Sequence, residues 1–191
     1  MKDKMKVLII GDSISMGYTP FVAELLEGAA EVVHNPGNGG DSSNVRAHLE
    51  QWLADSAPEI VHFNWGLHDV KVAGDAPGNQ VPLPAYRENL ARIVQRLVQS
   101  GALLVWANST PVVERWHTAQ KGFDRYNRDI DACNAAAEEI VRAAGIEICD
   151  LHSVISAAGP EKVTSPDGVH FPEATYRMLA EVVVTCLRRH L

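Results

Sequence analysis

The sequence predicts a single doubly wound α/β domain over residues 1–191, a five-stranded parallel sheet with helices on both faces. Three observations lead there. Short apolar runs alternate with amphipathic stretches along the chain. Those runs are continuously hydrophobic, as in strands buried on both sides. At 191 residues, 46% apolar and 21% charged, the chain can bury one core without disulfides or metals.

The elements follow in order. KVLIIG (6–11) is a buried strand, and FVAELLEG (21–28) a helix stopped by Gly28. AEVVHN (30–35) is the second strand, ended by Pro36 and Gly37. Residues 43–54 form a helix with Val45, Leu49, Trp52 and Leu53 on one face, and PEIVHFNWG (58–66) is strand three. The Gly- and Pro-rich segment 71–84 lacks periodicity and is expected to be a functional loop. Residues 86–101 form a helix and 102–108 the fourth strand, with a second irregular loop at 110–122. A long helix at 123–145, strand five at 146–151 and a closing helix at 172–190 complete the pattern. In such a fold the site lies at the carboxyl ends of the strands.

Composition narrows the functions. The net charge is −7 and no segment concentrates Lys and Arg, which argues against nucleic acid as a partner. Cys133, Cys149 and Cys186 are widely spaced and are expected to be reduced core thiols. Neither a membrane span nor a signal peptide is evident, so a cytoplasmic location is expected. The histidines (His34, His48, His62, His68, His117, His152, His170 and His190) show no HxH or HExxH spacing. No metal or other cofactor is expected.

Four short blocks stand out, three after predicted strands and one just before the closing helix. GDS (11–13) follows strand one, where Ser13 is either a nucleophile or a turn and capping residue. The block lacks the Lys of a phosphate loop and the clustered acids of a receiver site. NPGNGGDSS (35–43) brings glycines that let backbone N–H groups face a ligand, or simply form a turn. GLHD (66–69) follows strand three, and SPDGVHF (165–171) places Asp167 three residues before His170. A serine nucleophile needs a base and a carboxylate to orient that base, and one turn can supply both; a lone DxxH can equally be a surface turn.

Together, in this order and at this spacing, the four blocks resemble the SGNH, or GDSL-type, hydrolase family. The resemblance implies a three-layer, flavodoxin-like α/β/α sandwich and cleavage of carboxylic esters through an acyl-enzyme. It implies Ser13 as nucleophile, His170 as base and Asp167 as its carboxylate. The oxyanion hole would be formed by Ser13, Gly40 and the third block. Where that block usually reads GxND, this chain has GLHD, so His68 replaces the Asn donor; an imidazole N–H can make the same bond. Asp12 and Asp69 are supporting residues, Asp69 by tying down its loop. Trp65, Trp116 and Phe171 are candidates for the substrate pocket. The expected substrate is a small-molecule or glycan ester with a small acyl group, acetyl on a sugar being the first choice. The rival reading is a non-catalytic α/β module that holds a small anion or glycan.

Overall fold

The computed structural model describes residues 4–74 and 76–191. Asp75, within the 71–84 loop, and Met1–Asp3 lie outside the described residues. The main sheet is five-stranded and parallel in the order β2-β1-β3-β5-β7, formed by Ala30–His34, Met5–Ile10, Ile60–Phe63, Leu103–Ala107 and Glu147–Cys149. Val7 pairs with Val32 on one side and Ile60 on the other, and Ile60 with Leu103 in turn. The strands are buried on both faces as their unbroken hydrophobicity predicts, with Val7, Ile9, Ile10, Ile60, Val61, Phe63 and Val105 at 0% exposure.

Helix α1 (Ser13–Leu25) packs against α8 (Glu173–Leu187) on one face. On the other, α2 (Ser42–Ser56) packs on α3 (Leu83–Ser100), and α3 on α5 (Asn127–Ala143). The sandwich is thus three-layered. Its strand order reverses at β1, whose two neighbours β2 and β3 are reached by crossovers in opposite directions. That switch leaves a crevice at the carboxyl ends of β1 and β3, the usual ligand position in an open α/β sheet.

Four elements differ from the sequence expectation. Helix α1 starts eight residues before Phe21 because the poor helix formers Gly17 and Pro20 are carried inside it. Gly17 has a packing reason: a Cβ there would meet the Tyr176 ring of α8 at 2.2 Å. The 110–122 segment is not an irregular loop throughout but contains α4 (Glu114–Gln120), whose one buried residue is His117, so it shows no apolar period. The stretch between the fifth strand and the last helix, which reads as irregular in sequence, folds as α6 (Leu151–Ala158) and the short α7 (Pro160–Val163). Finally, Phe123–Asp124 is not helical: as β6 it pairs antiparallel with β4, Val72–Ala73, and joins the two loops beside the crevice.

Candidate active site

Helix α1 begins directly after β1. Asp12 is its N-cap, fully buried, with Oδ1 accepting from the Ile14 N–H at 2.9 Å. Burial raises its pKa, against the Ile14 bond and the nearby Arg125 charge. Ser13 is the first helical residue, so its N–H has no acceptor inside the helix and its Oγ sits at the positive end of the helix dipole.

The loop after β2 is drawn against the start of α1. Gly39 N–H donates to the Gly11 carbonyl at 2.8 Å, and a Cβ on Gly39 would come within 2.6 Å of that oxygen, so only glycine fits. Asn35 Oδ1 accepts from Gly11 N–H at 2.8 Å. Gly40 N–H donates to Asn38 Oδ1 at 2.9 Å, and Asn38 borders the cavity beside Ser13. An oxyanion bound at Gly40 would have to displace that amide oxygen.

The turn before α8 carries His170, the expected base, and Asp167. Asp167 Oδ1 accepts from the N–H groups of Val169 (3.1 Å) and His170 (3.0 Å), while Oδ2 meets His170 Nδ1 at 2.5 Å. Gly168, at φ +75°, makes the turn and presses on α4, where a Cβ would meet His117 N at 2.6 Å. Burial opposes ionisation of Asp167, but the bonds from His170 and Val169 outweigh it and hold the carboxyl at about 2. His170 Nε2 lies 2.8 Å from Ser13 Oγ. The structure therefore brings Ser13, His170 and Asp167, 157 residues apart at the extremes, into one hydrogen-bonded chain.

The third block closes the far side. Asp69 is fully buried, and both its oxygens accept from Ser42 N–H, at 3.0 and 3.1 Å, which ties the GLHD loop to the start of α2. Burial pushes its pKa up to about 7, against those bonds. His68 is half-buried and lines the same cavity as Ser13 and His170. Burial first, then the charges of Lys71 and Arg125, lower its pKa to about 4. His68 is thus neutral at physiological pH and does not set a second positive charge against protonation of His170.

The cavity encloses about 220 Å³. Besides the residues above it is walled by Leu67, Phe123 and Val169 and by the cations Lys71, Lys121 and Arg125. The pocket candidates need correction. Trp65 is fully buried, its ring taken up by packing on Phe63 and Trp106 at ring distances of 5.6 and 5.3 Å. Phe171 is also buried, edge-on to Tyr176 at 5.7 Å, and Trp116 lies on α4 away from the cavity lining. The aromatic wall is Phe123, concealed in sequence by the helical reading of 123–145. Arg125 was concealed in the same way. Arg125 is 5% exposed; its Nε donates to the Leu67 carbonyl and its Nη1 contacts His117 Nε2 at 3.4 Å. Cys133, Cys149 and Cys186 are buried free thiols. Among the described residues, no cluster of three or more His, Cys, Asp or Glu is arranged to hold a metal ion, and no helix is long and apolar enough to cross a membrane.

Fold and site together define the class, an ester hydrolase on a three-layer α/β/α frame. A family model described as the GDSL-like lipase/acylhydrolase family matches residues 9–178, and the chain belongs to that family. Among solved structures, it is similar to a lipase/acylhydrolase from Enterococcus faecalis (18% identity, TM-score 0.81, covering 98% of this chain and 97% of that one). It is likewise similar to the acetyl xylan esterase AlAXEase (16%, 0.79, 96% and 100%) and to TesA (21%, 0.76, 98% and 100%). No curated protein sequence matches the chain.

Proposed function

We propose that this protein is a metal-independent serine esterase acting on a small acyl ester through an acyl-enzyme. The observation that carries this is the chain Ser13 Oγ–His170 Nε2, His170 Nδ1–Asp167 Oδ2 at 2.8 and 2.5 Å, open to a cavity. Ser13 Oγ attacks the ester carbonyl as its proton passes to His170 Nε2. The new imidazolium is held by Asp167, whose carboxyl, held at about 2, is ionised at neutral pH. The oxyanion accepts from Ser13 N–H, from Gly40 N–H once Asn38 yields, and from His68. His170 then protonates the leaving alcohol, and water releases the acyl group by the reverse path.

A cavity of about 220 Å³ favours a short acyl group over a long chain. The acetyl xylan esterase on the same frame makes an acetylated sugar the first substrate to try. A fluorophosphonate probe should label Ser13 alone, and p-nitrophenyl esters should turn over fastest at acetyl or propionyl. Failure to label, with no turnover of any chain length or of acetylated sugars, would favour a binding module. Exhaustive chelation should leave turnover unchanged; a loss restored by zinc or manganese would overturn the serine-only mechanism.

A further inference from the structure

We propose that Lys71 is a positioning residue that fixes the hydrogen-bonding polarity of His68, so that the imidazole presents Nε2–H, and not a lone pair, to the oxyanion. The inference rests on His68 being an oxyanion donor. A histidine in that place poses a problem the usual Asn does not. An amide always carries two N–H donors, whereas a neutral imidazole has one donor nitrogen and one acceptor, and the wrong tautomer would aim a lone pair at a developing negative charge.

The structure supplies the missing constraint. Lys71 Nζ lies 2.9 Å from His68 Nδ1. An ammonium has only donors, so Nδ1 must accept and the ring proton must reside on Nε2. Nε2 has no partner among the described residues and is not sealed from solvent, while His68 borders the cavity that holds Ser13. A charge-assisted bond at Nδ1 also draws electron density from the ring and makes Nε2–H the stronger donor.

Lys71 is itself held in place. Its carbonyl accepts from Gln80 N–H at 2.7 Å, and its Nζ lies 5.0 Å from the centre of the Phe123 ring. Phe123 belongs to β6, which pairs with β4 immediately after Lys71. Arg125, just beyond β6, grips the Leu67 carbonyl next to His68. The small ribbon between the two loops thus holds the oxyanion donor from both sides. The charged and titratable groups around His68 are Lys71, Arg125, Asp41 and His170, and of these only Lys71 makes a bond that selects a tautomer.

A double-mutant cycle combined with imidazole ¹⁵N NMR tests this. Lys71→Glu replaces a donor with an acceptor, which would draw the proton to Nδ1; kcat for p-nitrophenyl acetate should fall by about 10²–10³, approaching the loss of a whole oxyanion donor. Lys71→Arg retains donors only and should stay within about threefold of the parent. In the His68→Asn background, Lys71→Glu should cost at least about tenfold less, because there is no tautomer left to flip. The His68 ring should read as Nε2–H in the parent and in Lys71→Arg, and as Nδ1–H in Lys71→Glu. Equal costs of Lys71→Glu in both backgrounds, or an unchanged His68 tautomer in that variant, would overturn the inference. If His68→Ala itself left kcat unchanged, the donor reading beneath it would fall instead, and the NMR result would still report whether Lys71 sets the tautomer.

Discussion

Ser13 and Ser15 lie two residues apart in α1, and each hydroxyl touches an imidazole. Ser13 Oγ meets His170 Nε2 at 2.8 Å, and Ser15 Oγ meets His34 Nε2 at 2.6 Å. His34 also borders a cavity, of about 220 Å³ like the one beside Ser13. By distance and by volume the second pair looks at least as good. The difference lies one bond further out. His170 Nδ1 faces a carboxylate, whereas His34 Nδ1 donates to the Asn35 carbonyl at 2.7 Å. A neutral carbonyl orients a ring but does little to stabilise the imidazolium formed when the ring takes a proton. Burial lowers the His34 pKa further, and Ser15 is itself 1% exposed, closed to any substrate. A serine–histidine contact is therefore not a catalytic dyad unless charge, access and oxyanion donors accompany it.

The comparison breaks most visibly at the nucleophile. Ser13→Ala and His170→Ala should each lower kcat by about 10⁶, because the members of a triad act as a unit. If activity followed His34 instead, the two pairs would have been assigned the wrong way round. Asp167→Asn isolates the feature that Ser15–His34 lacks. It leaves a base in contact with Ser13 but takes away the carboxylate, and kcat should fall by about 10⁴. A loss below about tenfold would mean that the carboxylate is not what separates the pairs.

The proposed oxyanion donors are the next distinction, since His68 lines the cavity beside Ser13, whereas Ser15 is closed off. His68→Ala should cost about 10²–10³ in kcat with little change in KM, because the bond strengthens only as charge develops on oxygen. His68→Asn should recover to within about tenfold of the parent. If both substitutions were equally and profoundly damaging, His68 would be a base and not a donor. The pH profile gives a second reading. With its pKa lowered to about 4, His68 is neutral above that value, so the acid limb of kcat should be the same in His68→Asn as in the parent. A limb displaced by a full pH unit would contradict that electrostatic assignment.

Much of this contrast is legible in sequence, and what is not has a physical cause. The strands show through their continuous hydrophobicity; GDS and GLHD stand where the strand ends put them, and DGVH stands just before the last helix. That Ser13 and not Ser15 faces the crevice does not follow from hydropathy, since both lie in a helix turn too short to show a period. The 71–84 and 110–122 segments read as irregular loops, the first of them functional. The β4–β6 ribbon, with Lys71 just before it and Phe123 and Arg125 at its other strand, rests on two-residue strands that no periodicity can reveal. Trp65 misled for the opposite reason. It is adjacent in sequence to the GLHD block, yet packing on Phe63 and Trp106 turns it into the core.

The smallest effect on activity, and the last test of the comparison, comes from Ser15→Ala. Its hydroxyl has one proton and two acceptors in reach, His34 Nε2 and the Asp12 carbonyl at 2.8 Å. Because His34 Nδ1 donates to a carbonyl, neutral His34 offers a lone pair at Nε2, and Ser15 is its donor. Removing the hydroxyl leaves a partly buried acceptor unpaired, which should destabilise the fold by about 1 kcal/mol. Turnover at Ser13 should stay within about twofold, since no atom of Ser15 reaches the reacting centre. The measurement belongs above pH 6.5. His34 has a depressed pKa in the folded state, so the stability linked to it is present above the unfolded value of 6.5 and is lost as the pH falls through the folded one. Below that window, protonation of the unfolded chain would blur the effect of the missing hydroxyl. Urea denaturation at pH 8 alongside an ester assay gives both numbers for Ser13→Ala and Ser15→Ala. The expected pattern is crossed, with Ser13→Ala stable and inactive and Ser15→Ala active and weakened. An inactive but fully stable Ser15→Ala would mean that the buried pair takes part in the reaction.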